Sequence, residues 1–211
     1  MNISEWIVRI PVLLFAITIH EYAHGKAALS LGDTTAKDAG RLSLNPLSHI
    51  DPLGAISLFL FNFGWAKPVP VNTGYFKNPR RDIIMMALSG PIANIGVALV
   101  TGIFIRYFIL PSEIYLKVLL YMILMNTGLG LFNLLPLPPL DGSHVLENIL
   151  PSSTSHRYQQ FSRYAPFFLI GLLMLDHFFR VNILGRVLIG PILFMSHLFG
   201  GDNFFKLLAL L

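Results

Sequence analysis

Hydropathy along the chain falls into long apolar runs separated by short polar punctuation. From Trp6 to Ile19 nearly every position is apolar, with Arg9 and Thr18 as the main interruptions, and the run continues to Ser30. About 20 helical residues cross a hydrocarbon core of roughly 30 Å, so residues 4–30 read as a first membrane span. Residues 31–54, LGDTTAKDAGRLSLNPLSHIDPLG, are rich in Gly, Pro, Asn and Asp and read as a loop. The apolar piece 55–63 is too short to cross, which predicts a re-entrant or interfacial segment. Around Lys67 to Val71, apolar and polar positions alternate, predicting an extended strand at the membrane surface that Pro68 and Pro70 confine to an edge. Further spans are predicted over 82–110, 114–135, 164–179 and 183–199, with a loop over 143–163. The pattern is that of an all-α polytopic membrane protein: about five transmembrane helices, a short non-spanning segment and a small membrane-associated β-strand region. Residues 1–211 read as one integral membrane domain, with a core over about 5–150 and accessory spans over about 164–199.

Composition agrees with this class. The chain is 54% hydrophobic and 12% charged, with a mean hydropathy of +0.64, too apolar for an ordinary soluble domain. The net charge of +4 is scattered over loops without a basic cluster interleaved with aromatics, which argues against nucleic acid as a partner. Without cysteine, only His, Asp and Glu remain to hold a metal. The N-terminus lacks a basic n-region and a small-residue cleavage site, so the first helix is read as retained. With the N-terminus outside, ten basic residues fall inside (Lys26, Lys37, Arg41, Lys67, Lys77, Arg80, Arg81, Arg157, Arg163 and Lys206) and five outside. That orientation puts the ends of the spans 4–30 and 114–135 on one cytoplasmic side, where they can meet.

What lies at those two ends is chemically unusual. In FAITIHEYAHG, residues 15–25, His20 and His24 stand four apart and share one helix face, so both imidazoles can hold one metal ion. Glu21 is placed to act as a base rather than as a ligand. Titratable groups in such an apolar helix mark either a functional site or interfacial side chains reaching for water. Asp141 follows a helix end broken by Pro136, Pro138 and Pro139. It either completes a His2Asp set with an open fourth position or caps the following helix, since Asp-Gly favours turns. Asn94 and Asn133 are polar groups in apolar helices, suited to holding substrate backbone or an oxyanion, or to bonding between helices. His49, in the Pro-rich loop, is a further catalytic candidate or an ordinary surface histidine. His144 falls one turn beyond Asp141 and is not read as a ligand, while His156, His177 and His197 read as interfacial.

HEYAH at 20–24, GPIAN at 90–94 and NLLPLPPLDG at 133–142, in this order on successive spans, resemble the site-2 protease family of intramembrane zinc metalloproteases. The resemblance covers about residues 5–150 and is closest to the small bacterial and archaeal members that lack PDZ and CBS domains. It implies one Zn2+ per chain held by His20, His24 and Asp141, with Glu21 as catalytic acid/base. It further implies a multi-pass protein of the cell membrane, active near the cytoplasmic side on a membrane-embedded or single-span protein substrate. The alternative reading is a zinc-binding transporter or scaffold without hydrolysis. Such a transporter would show internal repeats and midplane ligands on broken helices, neither of which is apparent.

Overall fold

The computed structural model describes residues 3–61, 63–108, 112–179 and 181–209. Its helices, in chain order, are α1 (Ile3–Ser30), α2 (Thr35–Asp38), α3 (Pro52–Phe61), α4 (Pro79–Tyr107), α5 (Glu113–Asn133), α6 (Asp141–Ile149), α7 (Ser152–Ser162), α8 (Ala165–Phe179), α9 (Ile183–Gly200) and α10 (Asp202–Leu208). Long helices α1, α4 and α5 pack on one another, and α9 lies against α4 and α5. Small residues set the spacing, as packing in lipid requires. A Cβ on Gly130 of α5 would stand 3.1 Å from the Pro91 carbonyl of α4, and one on Gly102 of α4 would strike the Phe199 Cβ of α9 at 2.5 Å. Ala98 and Ile105 of α4, Leu119, Leu120 and Ile123 of α5, and Phe204 and Leu207 of α10 form the main apolar core.

Among the described residues, four helices are long and apolar enough to cross a membrane: α1, α4, α5 and α9. The expected fifth span, 164–179, is the 15-residue α8, apolar but shorter than the four, and the direction of α9 bears on whether it crosses. The α9 C-terminus meets the α4 C-terminus, where Arg106 donates from Nε to the Phe199 carbonyl at 2.7 Å. Helix α9 therefore runs parallel to α4 and begins at the end of the bundle where α4 begins. Helix α6 starts at that same end, so α7 and α8 leave it and return to it, which 15 residues cannot do by crossing. The turn into α9 is held by Asp176, whose carboxylate accepts the Ile183 and Leu184 amides at 2.8 and 3.1 Å. Hydropathy along 164–179 cannot distinguish a helix that lies along an apolar boundary from one that traverses it.

The anticipated strand region is also reduced. Among the described residues no strand forms, and only an isolated antiparallel bridge joins Ile50 to Ala66. The reason lies in where the amides go. Pro68 and Pro70 have none, the Lys67 amide donates to the His49 carbonyl at 2.9 Å, and the Val69 amide donates to Glu21. The segment is nonetheless held in extended form, because residues preceding proline are driven there. Arg41 donates to the Lys67 carbonyl at 2.9 Å, and the Asn72 amide donates to the Asp33 carboxylate at 2.7 Å. Burial pushes the Asp33 carboxyl upward, but hydrogen bonds from the Thr35 hydroxyl and from the Asn72 and Thr35 amides outweigh it and hold it below its ordinary range. The short piece expected over 55–63 is α3, ten residues long, about 15 Å and too short to span. Asp51 caps its start by accepting the Gly54 amide at 2.9 Å.

Candidate metal centre

His20 and His24 lie well inside α1 and are 6% and 7% exposed. Helix α4 crosses them at Gly90. A Cβ there would meet His24 Nε2 and would stand 2.7 and 2.8 Å from His20 Cε1 and Nε2, so only glycine lets α4 approach the two rings. Asp141 arrives from the other side. Pro136 stops α5 just beyond Asn133, the chain turns, and α6 opens with Asp141 as its first residue. Gly142 is needed for the same reason as Gly90: a Cβ would stand 2.6 Å from the Leu135 carbonyl oxygen.

Three atoms converge. His20 Nε2 and His24 Nε2 are 3.0 Å apart, and Asp141 Oδ2 is 3.1 Å from the first and 3.3 Å from the second. Tetrahedral zinc with bonds of about 2.0–2.2 Å has ligand-to-ligand edges of about 3.3 Å, so the triangle fits one ion. The protonation pattern supports the same conclusion. His20 Nδ1 lies 2.7 Å from Asn94 Oδ1 and His24 Nδ1 lies 2.9 Å from the Met86 carbonyl. Both partners are acceptors, so each Nδ1 carries the hydrogen and each Nε2 turns a lone pair inward. Asp141 Oδ2 is buried without a donor. Two nitrogen lone pairs and a carboxylate oxygen at these separations repel one another unless a proton or a metal cation is shared among them, and a metal ion satisfies all three at once. The donor set therefore fits zinc, and His20, His24 and Asp141 are the group among the described residues that could hold one metal ion.

Glu21 is not part of that triangle. Its Oε2 accepts the Val69 amide at 3.0 Å, which ties it to the extended segment. Asn94, fully buried, is committed to His20: its oxygen faces His20 Nδ1 and its amide nitrogen donates to the Ala16 carbonyl at 3.0 Å. Asn133 bonds back to the Leu129 carbonyl of its own helix at 3.0 Å. His49 is buried rather than superficial. Its Nε2 donates to the Ser43 carbonyl at 2.9 Å, and its Nδ1 is buried without a partner. His144 is exposed, while the His177 side chain lies outside those described. Three positions at the site escape a reading of spacing alone: Gly90, Gly142 and the buried Asn126 of α5, which accepts the Asn94 amide at 2.9 Å. The two glycines stand inside quoted motifs, but the contact that demands each one comes from another element. Asn126 is signalled only as a polar residue in an apolar helix.

Comparison with known proteins gives consistent results. The model of Peptidase family M50 matches residues 109–175. "Putative zinc metalloprotease YwhC" of Bacillus subtilis (strain 168) is 36% identical over 210 residues, covering 93% of this chain and 89% of its own. "Putative zinc metalloprotease Rip2" of Mycobacterium tuberculosis (strain H37Rv) is 30% identical over 182 residues, covering 82% of this chain and 66% of its own. The protein of that name from Mycolicibacterium smegmatis is 28% identical over 159 residues, covering 72% and 61%. No solved structure matches significantly.

Proposed function

Because the chain belongs to the site-2 protease family, peptidase family M50, and is a membrane zinc metalloprotease, we propose that it cleaves a peptide bond in or beside a transmembrane segment of another membrane protein, in regulated intramembrane proteolysis. The observation that carries this reading is the depth of the His20, His24 and Asp141 triangle. His20 stands ten residues from the end of α1 and Gly90 eleven from the start of α4, about 15 Å inside each helix. A soluble polypeptide would have to enter the bundle to reach such a site, whereas a neighbouring helix in the bilayer is already at that level.

When bound, zinc polarises the scissile carbonyl and lowers the pKa of water toward about 7. The remaining work falls to side chains of this protein. Glu21 takes the proton of the attacking water and passes it to the leaving amine, and the Val69 amide keeps its carboxylate turned toward the segment where substrate would lie. Asn94 holds His20 in place. A helical substrate shields its own carbonyls, so it must unwind locally before attack. The extended run around Lys67 to Val71 supports this step by accepting the unwound stretch through strand addition. A cytoplasmic position for the site is supported by charge. With α8 not crossing, and Arg180 left aside, ten basic residues (Lys26, Lys37, Arg41, Lys67, Lys77, Arg80, Arg81, Arg157, Arg163 and Arg186) lie at the site end, and four (Arg9, Arg106, Lys117 and Lys206) at the other.

The test is cleavage of a panel of single-span model substrates in liposomes by the wild-type protein and by Glu21→Gln, with zinc measured by elemental analysis. Cleavage that disappears in a variant still holding one zinc per chain is the expected result. A zinc-loaded wild type that cuts no substrate would replace this reading with that of a non-hydrolytic zinc-binding transporter or scaffold.

A further inference from the structure

Beyond the metal ligands and Asn94, the centre of the bundle holds one more buried amide in line with them. Asn126 of α5 is fully buried, two turns from the end of its helix and on no motif used above. Its Nδ2 donates to the Met122 carbonyl at 2.9 Å, and its Oδ1 accepts from Asn94 Nδ2 at 2.9 Å. Asn94 Nδ2 also donates to the Ala16 carbonyl at 3.0 Å, and Asn94 Oδ1 stands 2.7 Å from His20 Nδ1. The sequence of contacts therefore runs Met122, Asn126, Asn94, His20 across three helices.

An asparagine amide presents two donors on one side and an acceptor on the other, and the two orientations differ only by a half-turn. In lipid, where no water can substitute, the neighbours decide which orientation is adopted. Met122 offers an acceptor, so Asn126 must turn its nitrogen there and its oxygen toward Asn94. Asn94 then finds acceptors, Asn126 Oδ1 and the Ala16 carbonyl, on its nitrogen side. Its oxygen must face His20, and His20 must carry its hydrogen on Nδ1. Only that tautomer presents the Nε2 lone pair to a metal.

We propose that Asn126 is a positioning residue for the metal centre: by locking the orientation of Asn94, it selects the metal-binding tautomer of His20 from a neighbouring helix. The inference rests on the metal centre formed by His20, His24 and Asp141. Groups that orient a metal-bound histidine typically change metal affinity by about ten- to a hundredfold when removed, and Asn126 acts one bond further out, through Asn94.

Chelator competition for zinc on purified protein in detergent tests this without any assay of proteolysis. Asn126→Leu, similar in size and without an acceptor, is expected to lower zinc affinity about tenfold. Asn126→Asp keeps an acceptor facing Asn94 and is expected to restore most of the loss. Apo-protein melting temperature, followed by helical circular dichroism, should change little between the two variants. The decisive measurement is the double variant: in an Asn94→Ala background, Asn126→Leu should cost no further affinity. Equal affinity in Asn126→Leu and wild type, or an undiminished additional loss in the Asn94→Ala background, would overturn the proposal. Should Asn126→Leu fail to fold, Asn126→Ser, whose shorter hydroxyl falls short of Asn94, replaces it in the same cycle. Failure of the wild type to bind zinc would instead remove the metal centre on which the inference depends.

Discussion

Gly90 shows how much of a metal site is decided by what a residue lacks. The paired histidines and Glu21 are legible from spacing on one helix, and Asp141 from its place after a proline-broken span. The requirement for glycine at 90 is not, because it arises only when α4 lies across His20 and His24. Gly90→Ala is expected to lower zinc affinity by at least about tenfold, the order seen when support for metal ligands is lost. The new methyl group must displace one ring or the other. Competition with a chelator measures the loss, and unaltered affinity would mean that α4 shifts without disturbing the ligands. Asn94 illustrates the opposite case. Its polar character in an apolar helix is visible in the sequence, but its partner, His20 Nδ1, appears only across 74 residues of chain.

The extended run from Lys67 to Val71 is legible as extended backbone, but not as the edge strand its alternation suggests. Alternation and prolines point to extended backbone, but no strand forms there among the described residues, because its amides bond to His49 and Glu21 instead of to a neighbouring strand. A pattern of side chains carries no information about which acceptor each amide finds. Val69→Pro would remove the amide that holds Glu21. Cleavage efficiency, kcat/KM, is expected to fall about a hundredfold, as for a misplaced catalytic group, with zinc content unchanged. Val69→Ala, which keeps the amide, should retain most activity. Equal activity in the proline and alanine variants would separate the segment from the base and remove its assigned role. Helix α3, by contrast, is legible by length alone, since ten residues cannot reach across a bilayer.

At the scale of the molecule, the bundle of α1, α4 and α5 is apparent from apolar run lengths, and the number of crossings is not. Four crossings, by the four candidate helices, would place the ends of α1 and α9 that lie far from the metal centre on one face of the membrane. The chain contains no cysteine, so single cysteines introduced one at a time report the topology directly with an impermeant thiol reagent. Arg163→Cys and Asn182→Cys are expected to label from the same side as Lys77→Cys, and Tyr107→Cys and Asp202→Cys from the other. Labelling of positions 163 and 182 from opposite sides would restore a fifth crossing. The Pro-Val-Pro run at 68–70 has a bearing on how several such molecules share one membrane. An unpaired edge is ordinarily a template for its own kind, because each copy offers both donors and acceptors. Here the only amide within the run is already held by Glu21, so residues 68–70 of two copies bring carbonyls to one another and nothing to satisfy them. An incoming chain that brought its own amides would find acceptors at the carbonyls Arg41 does not hold, whereas a second copy of this run would bring none, which keeps the segment from becoming a route to aggregation.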